Sequence, residues 1–224
     1  MPTLPVKPDV SLCVFAKPPR AGDTKTRLAP ALGAEGAAAL ARAFISDTWA
    51  AVAHLPWARP VLASTAPWPE GLLPAPVEVW QQGEGDLGAR MERILIRGLE
   101  ECPTAMALGA DSPGLPVAHL EAARAALAHA DAVFGPSDDG GFYLLALRRL
   151  PVGAFVDLPW SQSDTLARTE ARLKSLGLTV ARVAPFFDVD VPADLERLET
   201  ELAAGRLHAP ATAKALASLR SPAR

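Results

Sequence analysis

Lys17, Arg20, Lys25 and Arg27 place four cations within eleven residues of a chain whose formal net charge is −3. Pro18 and Pro19 stiffen this segment, and Gly22 admits a positive φ or a close backbone approach to a ligand. Loop amides beside Lys and Arg are what a polyphosphate requires, so the segment reads as a local anion site. A solvated basic turn is the alternative. The segment is not a Walker A loop, because G-x-x-x-x-G-K-[ST] does not occur there. Carboxylates stand further along. Asp111 follows the apolar run TAMALG, and a carboxylate at the end of a buried strand is costly unless it is paired or holds a cation. Asp188 and Asp190 alternate along Asp188-Val189-Asp190, which sets both on one face of an extended segment. Asp111, Asp188 and Asp190 together form a candidate site for Mg²⁺ or Mn²⁺, hard cations that take carboxylate oxygens and keep several waters. Helix capping is the competing role for Asp111, and for Asp190 ahead of Pro192.

Asp138-Asp139-Gly140-Gly141 sets two acids before two glycines. The pattern reads first as a hairpin turn. The same acids are candidates for a catalytic base or for holding sugar hydroxyls, with Gly140 and Gly141 letting a substrate approach the backbone. Trp160 and Ser161 fall in a loop suited either to covering an acceptor or to anchoring itself. Gly83, Gly85 and Gly88 spell G-x-G-x-x-G between a strand and a helix, with Asp111 at about the distance of a ribose-binding acid. A dinucleotide oxidoreductase is therefore a rival reading, one that leaves the basic loop unexplained. In the same turn, Gly85, Asp86 and Arg90 are candidates for a nucleotide contact, and Asp86 and Arg90 for a helix cap.

Other chemistries are excluded. His54, His119, His129 and His208 do not cluster and show no H-E-x-x-H spacing, which removes a zinc site. No G-x-S-x-G elbow occurs, which removes an α/β-hydrolase. Cys13 and Cys102 are too few for a disulfide framework and are expected as buried free thiols. A pI near 5.8 argues against a nucleic-acid partner. No run approaches the roughly 18 apolar residues of a membrane span, and the N-terminus lacks the apolar core of a secretory signal. A cytoplasmic location is the default expectation. Oligomeric state stays open.

The elements that must position these residues alternate. Strands are predicted at 10–16, 60–65, 77–81, 104–109, 131–135, 142–147 and 178–184. Helices are predicted at 35–54, 86–100, 117–130, 164–176 and 192–202, with 149–162 irregular. Helix 35–54 should bury Leu40, Phe44, Ile45, Trp49 and Val52, and helix 86–100 should turn Leu87, Met91, Ile94 and Leu95 inward. Alternation of this kind means a mainly parallel sheet with helices on both faces. FYLLAL (142–147) follows its predecessor too closely for a crossover helix, so mixed strand directions are expected there. The expected fold is a single-domain, Rossmann-like, three-layer α/β/α sandwich spanning 10–205. Residues 1–9 are expected as a flexible arm and 206–224 as a tail whose last sixteen or so residues fray.

FAKPPRAGDTKTRLAPALG, QQGEGDLGARM, LGADSPGLP, GPSDDGGFYLLAL, PWSQSDTLART and FDVDVPADL, taken in this order over roughly 10–200, resemble a bacterial family of uncharacterised proteins. That family has the nucleotide-diphospho-sugar transferase (glycosyltransferase-A-like) fold, and a subset is associated with arsenosugar biosynthesis. The first loop is also similar to that of phospholactate guanylyltransferases, and DVDVPADL to the late motif of molybdenum-cofactor nucleotidyltransferases. The resemblance implies phosphate contacts from Lys17, Lys25 and Arg27. It implies that Asp111 is the central metal-binding Asp and that Asp190, with Asp188 beside it, is the second metal position. The chain has Asp-Ser-Pro rather than a full D-x-D triplet at Asp111, so one Asp contact is carried over there. Two reactions suit such a site: glycosyl transfer from a nucleotide-sugar to a small acceptor, and nucleotidyl transfer from an NTP to a small phosphorylated substrate.

Overall fold

The computed structural model describes residues 8–73 and 77–220. In chain order the elements are β1 (Val10–Ala16), α1 (Ala29–Val52), β2 (Ala58–Ser64), β3 (Val79–Gln81), α2 (Leu87–Glu101), β4 (Thr104–Gly109) and α3 (Val117–Ala126). Then follow β5 (Ala132–Pro136), β6 (Phe142–Leu147), α4 (Thr165–Ser175), β7 (Val180–Arg182), α5 (Pro192–Ala203) and α6 (Pro210–Arg220). The strands form one sheet in the order β3-β2-β1-β4-β6-β5-β7. β1 lies inside it, parallel to β2 on one side and to β4 on the other. A strand covered on both faces must be apolar almost throughout, and β1 is buried at every position except half-buried Phe15. β6 runs antiparallel to both β4 and β5, because the five residues between β5 and β6 cannot carry a crossover. The sheet is therefore mixed and mainly parallel, as expected.

One face packs on α1 and α3, through Ile45, Trp49, Val52, Leu120 and Ala123. The other packs on α2 and α4, through Met91, Leu95, Leu166 and Leu173. All five predicted core positions of α1 are buried, whereas Leu87 at the start of α2 is 37% exposed. Its place in the first turn explains the difference, since that turn opens toward the cleft described below. Helix α1 begins six residues before its predicted start, and Gly33 (φ 72°, ψ 164°) interrupts it. Both cysteines are free and buried, and burial pushes the Cys13 thiol up to about 12. Among the described residues no helix is long and apolar enough to cross a membrane.

The C-terminal segment corrects an expectation. Residues 210–220, expected to fray, form α6, with Thr212 and Leu216 buried. The buried Asp47 carboxylate of α1 accepts from the Ala211 and Thr212 amides at 2.9 and 2.8 Å, satisfying orphan donors of the α6 N-terminus. Of the expected arm, residues 1–7 lie outside the described residues. Asp9 is held by a hydrogen bond from its amide to the Trp57 carbonyl and by an ion pair with Arg124.

Asp131 joins β5 to the strand entering β7. Its carboxylate accepts from the Thr179 amide and hydroxyl (2.9 and 3.0 Å) and from Arg148 and Arg149. Hydrogen bonding from Arg149, then from the Thr179 amide, holds it well below the usual carboxylate range. A depressed pKa contributes stability above the unfolded value, near about 4, and loses it as pH falls. Asp131→Asn is predicted to lower Tm at pH 7, and the gap to wild type should narrow in melts repeated near pH 3.

Candidate active site

Parallel strands bring their carboxyl ends to one edge of the sheet. The residues that follow them meet there in an open cleft of ≈680 Å³. Lys17 comes from the end of β1, Thr65 from β2, Gln82 from β3, Asp111 from β4 and Asp139 from the turn after β5. Asp190, which leads into α5, completes this rim. In open α/β sheets ligands bind in such a crevice.

The centre of the cleft is an ion triad. Lys25 Nζ lies 2.6 Å from Asp111 Oδ1 and 2.6 Å from Asp190 Oδ1. Its side chain is 5% exposed, while those of Asp111 and Asp190 are 54% and 44% exposed. Burial works against the charged ammonium, yet the two carboxylates outweigh it and raise the pKa of Lys25 above its ordinary value. The triad joins segments far apart in sequence, and a bond from the Val189 amide to the Asp111 carbonyl (2.9 Å) supports it. Asp194 reaches back to the Asp190 and Val191 amides, both at 2.9 Å, so Asp194 rather than Asp190 closes the start of α5.

This geometry divides the predicted site. Lys17, Lys25, Arg27, Asp111, Asp139, Asp190 and Ser161 line the cleft. Arg20, Gly22, Gly85, Asp86, Asp138, Gly140, Gly141, Trp160 and Asp188 do not. Lys25, expected on phosphate, is committed to two carboxylates instead. Arg20 is exposed and serves the loop through its carbonyl, which accepts from the Asp23 and Thr24 amides; Gly22 turns that loop at φ 81°. Asp86 caps α2, accepting from the Ala89 amide at 2.8 Å. Gly85 (φ 105°) shapes this capping turn, and the Trp160 ring lies against Gly88. The G-x-G-x-x-G turn is thus a helix start covered by an aromatic side chain. Asp138 pairs with Arg197 outside the cleft at 2.5 Å. Asp188 turns inward to accept a hydrogen bond from Ser112 Oγ. Burial, with Asp111, Asp139 and Asp190 nearby, pushes it up to about 6 against that bond.

The expected metal set is corrected accordingly. Among the described residues no three His, Cys, Asp or Glu side chains are arranged to hold a metal ion. Two carboxylates remain on the cleft. Asp111 and Asp190 each spend Oδ1 on Lys25, and both side chains remain about half exposed in the cleft. Two half-exposed carboxylates suit Mg²⁺ or Mn²⁺, which bind through one or two carboxylates together with substrate phosphates.

The far wall is a joint between two loops. Asp139 Oδ1 accepts from Ser137 Oγ (2.7 Å) and from the Gly141 amide (2.8 Å), which fixes the carboxylate in place. The Gly140 carbonyl accepts from the Leu166 amide at 2.9 Å. Gly140 has φ 85°, and a Cβ there would fall 1.8 Å from the Ser163 carbonyl oxygen. The acidic turn and the Ser161-Gln162-Ser163 wall therefore hold each other. Gln82, Gln162 and Ser163 were not anticipated as lining. Gln82 precedes the glycine turn and is buried, its Nε2 donating to the Ala63 carbonyl at 2.8 Å. Its position straight after a predicted strand was the available signal.

The fold is the α/β fold of nucleotide-diphospho-sugar transferases and cytidylyltransferases. The chain belongs to the bacterial family described as uncharacterized protein conserved in bacteria (DUF2064), whose pattern matches residues 48–162, just over half the chain. It is similar to a crystal structure from Desulfovibrio desulfuricans G20, provisionally named a nucleotide-diphospho-sugar transferase. Identity is 27% and the TM-score 0.75, over 83% of this chain and 84% of that one. The fold is also shared with CMP:2-keto-3-deoxy-manno-octonic acid synthetase in complex with CTP (12% identity, TM-score 0.56, 88% of this chain and 99% of that one). It is shared too with 2-C-methyl-D-erythritol 4-phosphate cytidylyltransferase from Thermus thermophilus (18%, 0.54, 92% and 98%). No curated protein matches the chain. None of these descriptions mentions arsenosugars.

Gly140→Ala places a methyl group on the Ser163 backbone, which has no freedom to rotate away. The variant is predicted to lose about 1–3 kcal/mol in denaturant unfolding. It should also speed hydrogen exchange at the Leu166 amide.

Proposed function

We propose that the chain is a transferase acting on a nucleotide-activated substrate, and that its reaction is glycosyl transfer from a nucleotide-diphospho-sugar to a small hydroxyl-bearing acceptor. The observation that carries this reading is the charge of the cleft. Among the described residues four cations line it, Lys17, Lys25, Arg27 and Arg90, against four carboxylates, Asp23, Asp111, Asp139 and Asp190. With Lys25 committed to Asp111 and Asp190, the balance suits a diphosphate better than the more highly charged triphosphate. The likeness to the Desulfovibrio protein supports the same choice.

Lys17, Arg27 and Arg90 are the groups placed to hold the donor phosphates. Asp111 and Asp190 would hold Mg²⁺ or Mn²⁺ through their carboxylates. When bound, that ion supplies neutralisation of charge developing on the leaving diphosphate. Asp139 is the candidate base. One of its oxygens is fixed by Ser137 and Gly141, and the other has no partner among the described residues. The acceptor hydroxyl gives its proton to Asp139, and its oxygen bonds to the anomeric carbon. The bond from that carbon to the phosphate oxygen breaks, and its electron pair leaves with the nucleoside diphosphate. Ser161, Gln162 and Ser163 offer hydrogen bonds beside this point.

A thermal-shift screen with Mg²⁺ or Mn²⁺, NTPs and nucleotide-sugars tests the proposal. A ligand present at 100 times its Kd raises stability by about 2.7 kcal/mol, which such a screen resolves. Stabilisation by one nucleotide-sugar above its matching NTP is expected. The reverse order would replace glycosyl transfer with nucleotidyl transfer. Once a donor is known, Asp139→Asn should cut kcat by about 10²–10⁴-fold while leaving donor affinity unchanged. Full turnover in that variant would remove Asp139 from the chemistry.

A further inference from the structure

Lys25 differs from the other cations of the first loop. Lys17 and Arg27 are exposed, with Lys17 Nζ donating to the Asp23 carbonyl at 3.0 Å, whereas the Lys25 side chain is buried and its ammonium is paired with carboxylates. Two of its directions go to Asp111 Oδ1 and Asp190 Oδ1, and the ammonium also lies 5.6 Å from the centroid of the buried Phe44 ring. A cation over an aromatic face is held there. The backbone at Lys25 is left-handed (φ 48°), a conformation that a non-glycine residue keeps only where its surroundings fix it.

We infer that Lys25 is a positioning residue: its ammonium holds Asp111 and Asp190 together and suppresses binding of a free divalent cation between them. The inference rests on the reading of Asp111 and Asp190 as cation ligands. The physical reason is Coulombic. Asp188 is a further acidic neighbour of both carboxylates, so without Lys25 the pair has no cation held between its members. With Lys25 in place, one charge of the Asp111 and Asp190 pair is already neutralised, and an arriving ion meets a like charge at short range. The site then favours an ion that comes with its own anion, such as a diphosphate.

The test is Mn²⁺ alone, titrated into the full chain and followed by loss of the free aquo-ion signal in electron paramagnetic resonance. Lys25→Met should bind Mn²⁺ about tenfold more tightly than wild type or better. Lys25→Gln keeps a donor amide without the charge and should behave the same way, which covers a failure of Lys25→Met to fold. Metal-free binding of inorganic pyrophosphate is the second readout; losing one positive charge weakens it, but by less than about tenfold in either variant, because Lys17, Arg27 and Arg90 remain. Unchanged or weaker Mn²⁺ binding overturns the inference. So does a tenfold loss of pyrophosphate affinity, which makes Lys25 a phosphate ligand. Absence of Mn²⁺ binding in wild type and both variants overturns it by removing the cation site. The choice of donor is judged separately by the thermal-shift order.

Discussion

Three stretches that a linear reading keeps apart meet at one ammonium group. Lys25 belongs to the loop after β1, Asp111 to the end of β4 and Asp190 to the entry of α5. Each stretch is anchored elsewhere by ordinary packing: β1 between two parallel neighbours, β4 against β6, and α5 against Leu28, Phe44 and Leu216. The ion triad fixes their relative positions at the cleft. A triad built on a buried ammonium adds little net stability, because desolvation of that ammonium offsets much of the attraction, but breaking it leaves charge uncompensated. Its effect is to define the shape and charge of the site.

The reversal of β6 governs the other half of the cleft. In a purely parallel sheet the chain would leave the end of β5 through a crossover helix. Here it turns at once through Asp138-Asp139-Gly140-Gly141 and runs back. The tight return keeps Asp139 at the sheet edge, and Gly140 lets the neighbouring 161–163 segment close against it. Cations from the first loop and α2 face carboxylates from β4, the β5 turn and the approach to α5.

Much of this was legible in the sequence because periodicity and strand ends are local properties. VSLCVFA, TAMALG and FYLLAL read correctly as strands, and the short interval before FYLLAL announced the antiparallel turn. The residue after a strand was a good guide to the cleft: Lys17, Asp111 and Asp139 all lie there. Where the reading failed, the deciding partner was distant. Nothing beside Lys25 shows that Asp111 and Asp190 claim it. Nothing beside Asp188 shows that Ser112 draws it inward. Asp138 and Asp139 look alike on paper, but Arg197, 59 positions from Asp138, takes the first, while Ser137 and Gly141 take the second. The Ala-rich C-terminus gave little sign of α6, because its start is capped by a carboxylate on another helix.

The two borders of the sheet share a feature. β3 and β7 are three residues each. The guanidinium of Arg97 lies 4.0 Å from the Trp80 ring centroid at one border, and Arg182 on the other is fastened to Glu170. Short strands flanked by charge offer a poor template for a further strand, whether from a neighbour or from a partly unfolded copy. The continuous apolar strands that give the sheet its strength, β1 and β4 to β6, all lie inside these guarded margins. The protein can therefore keep an aggregation-prone interior sequence while presenting concentrated solutions with margins that resist edge-to-edge growth.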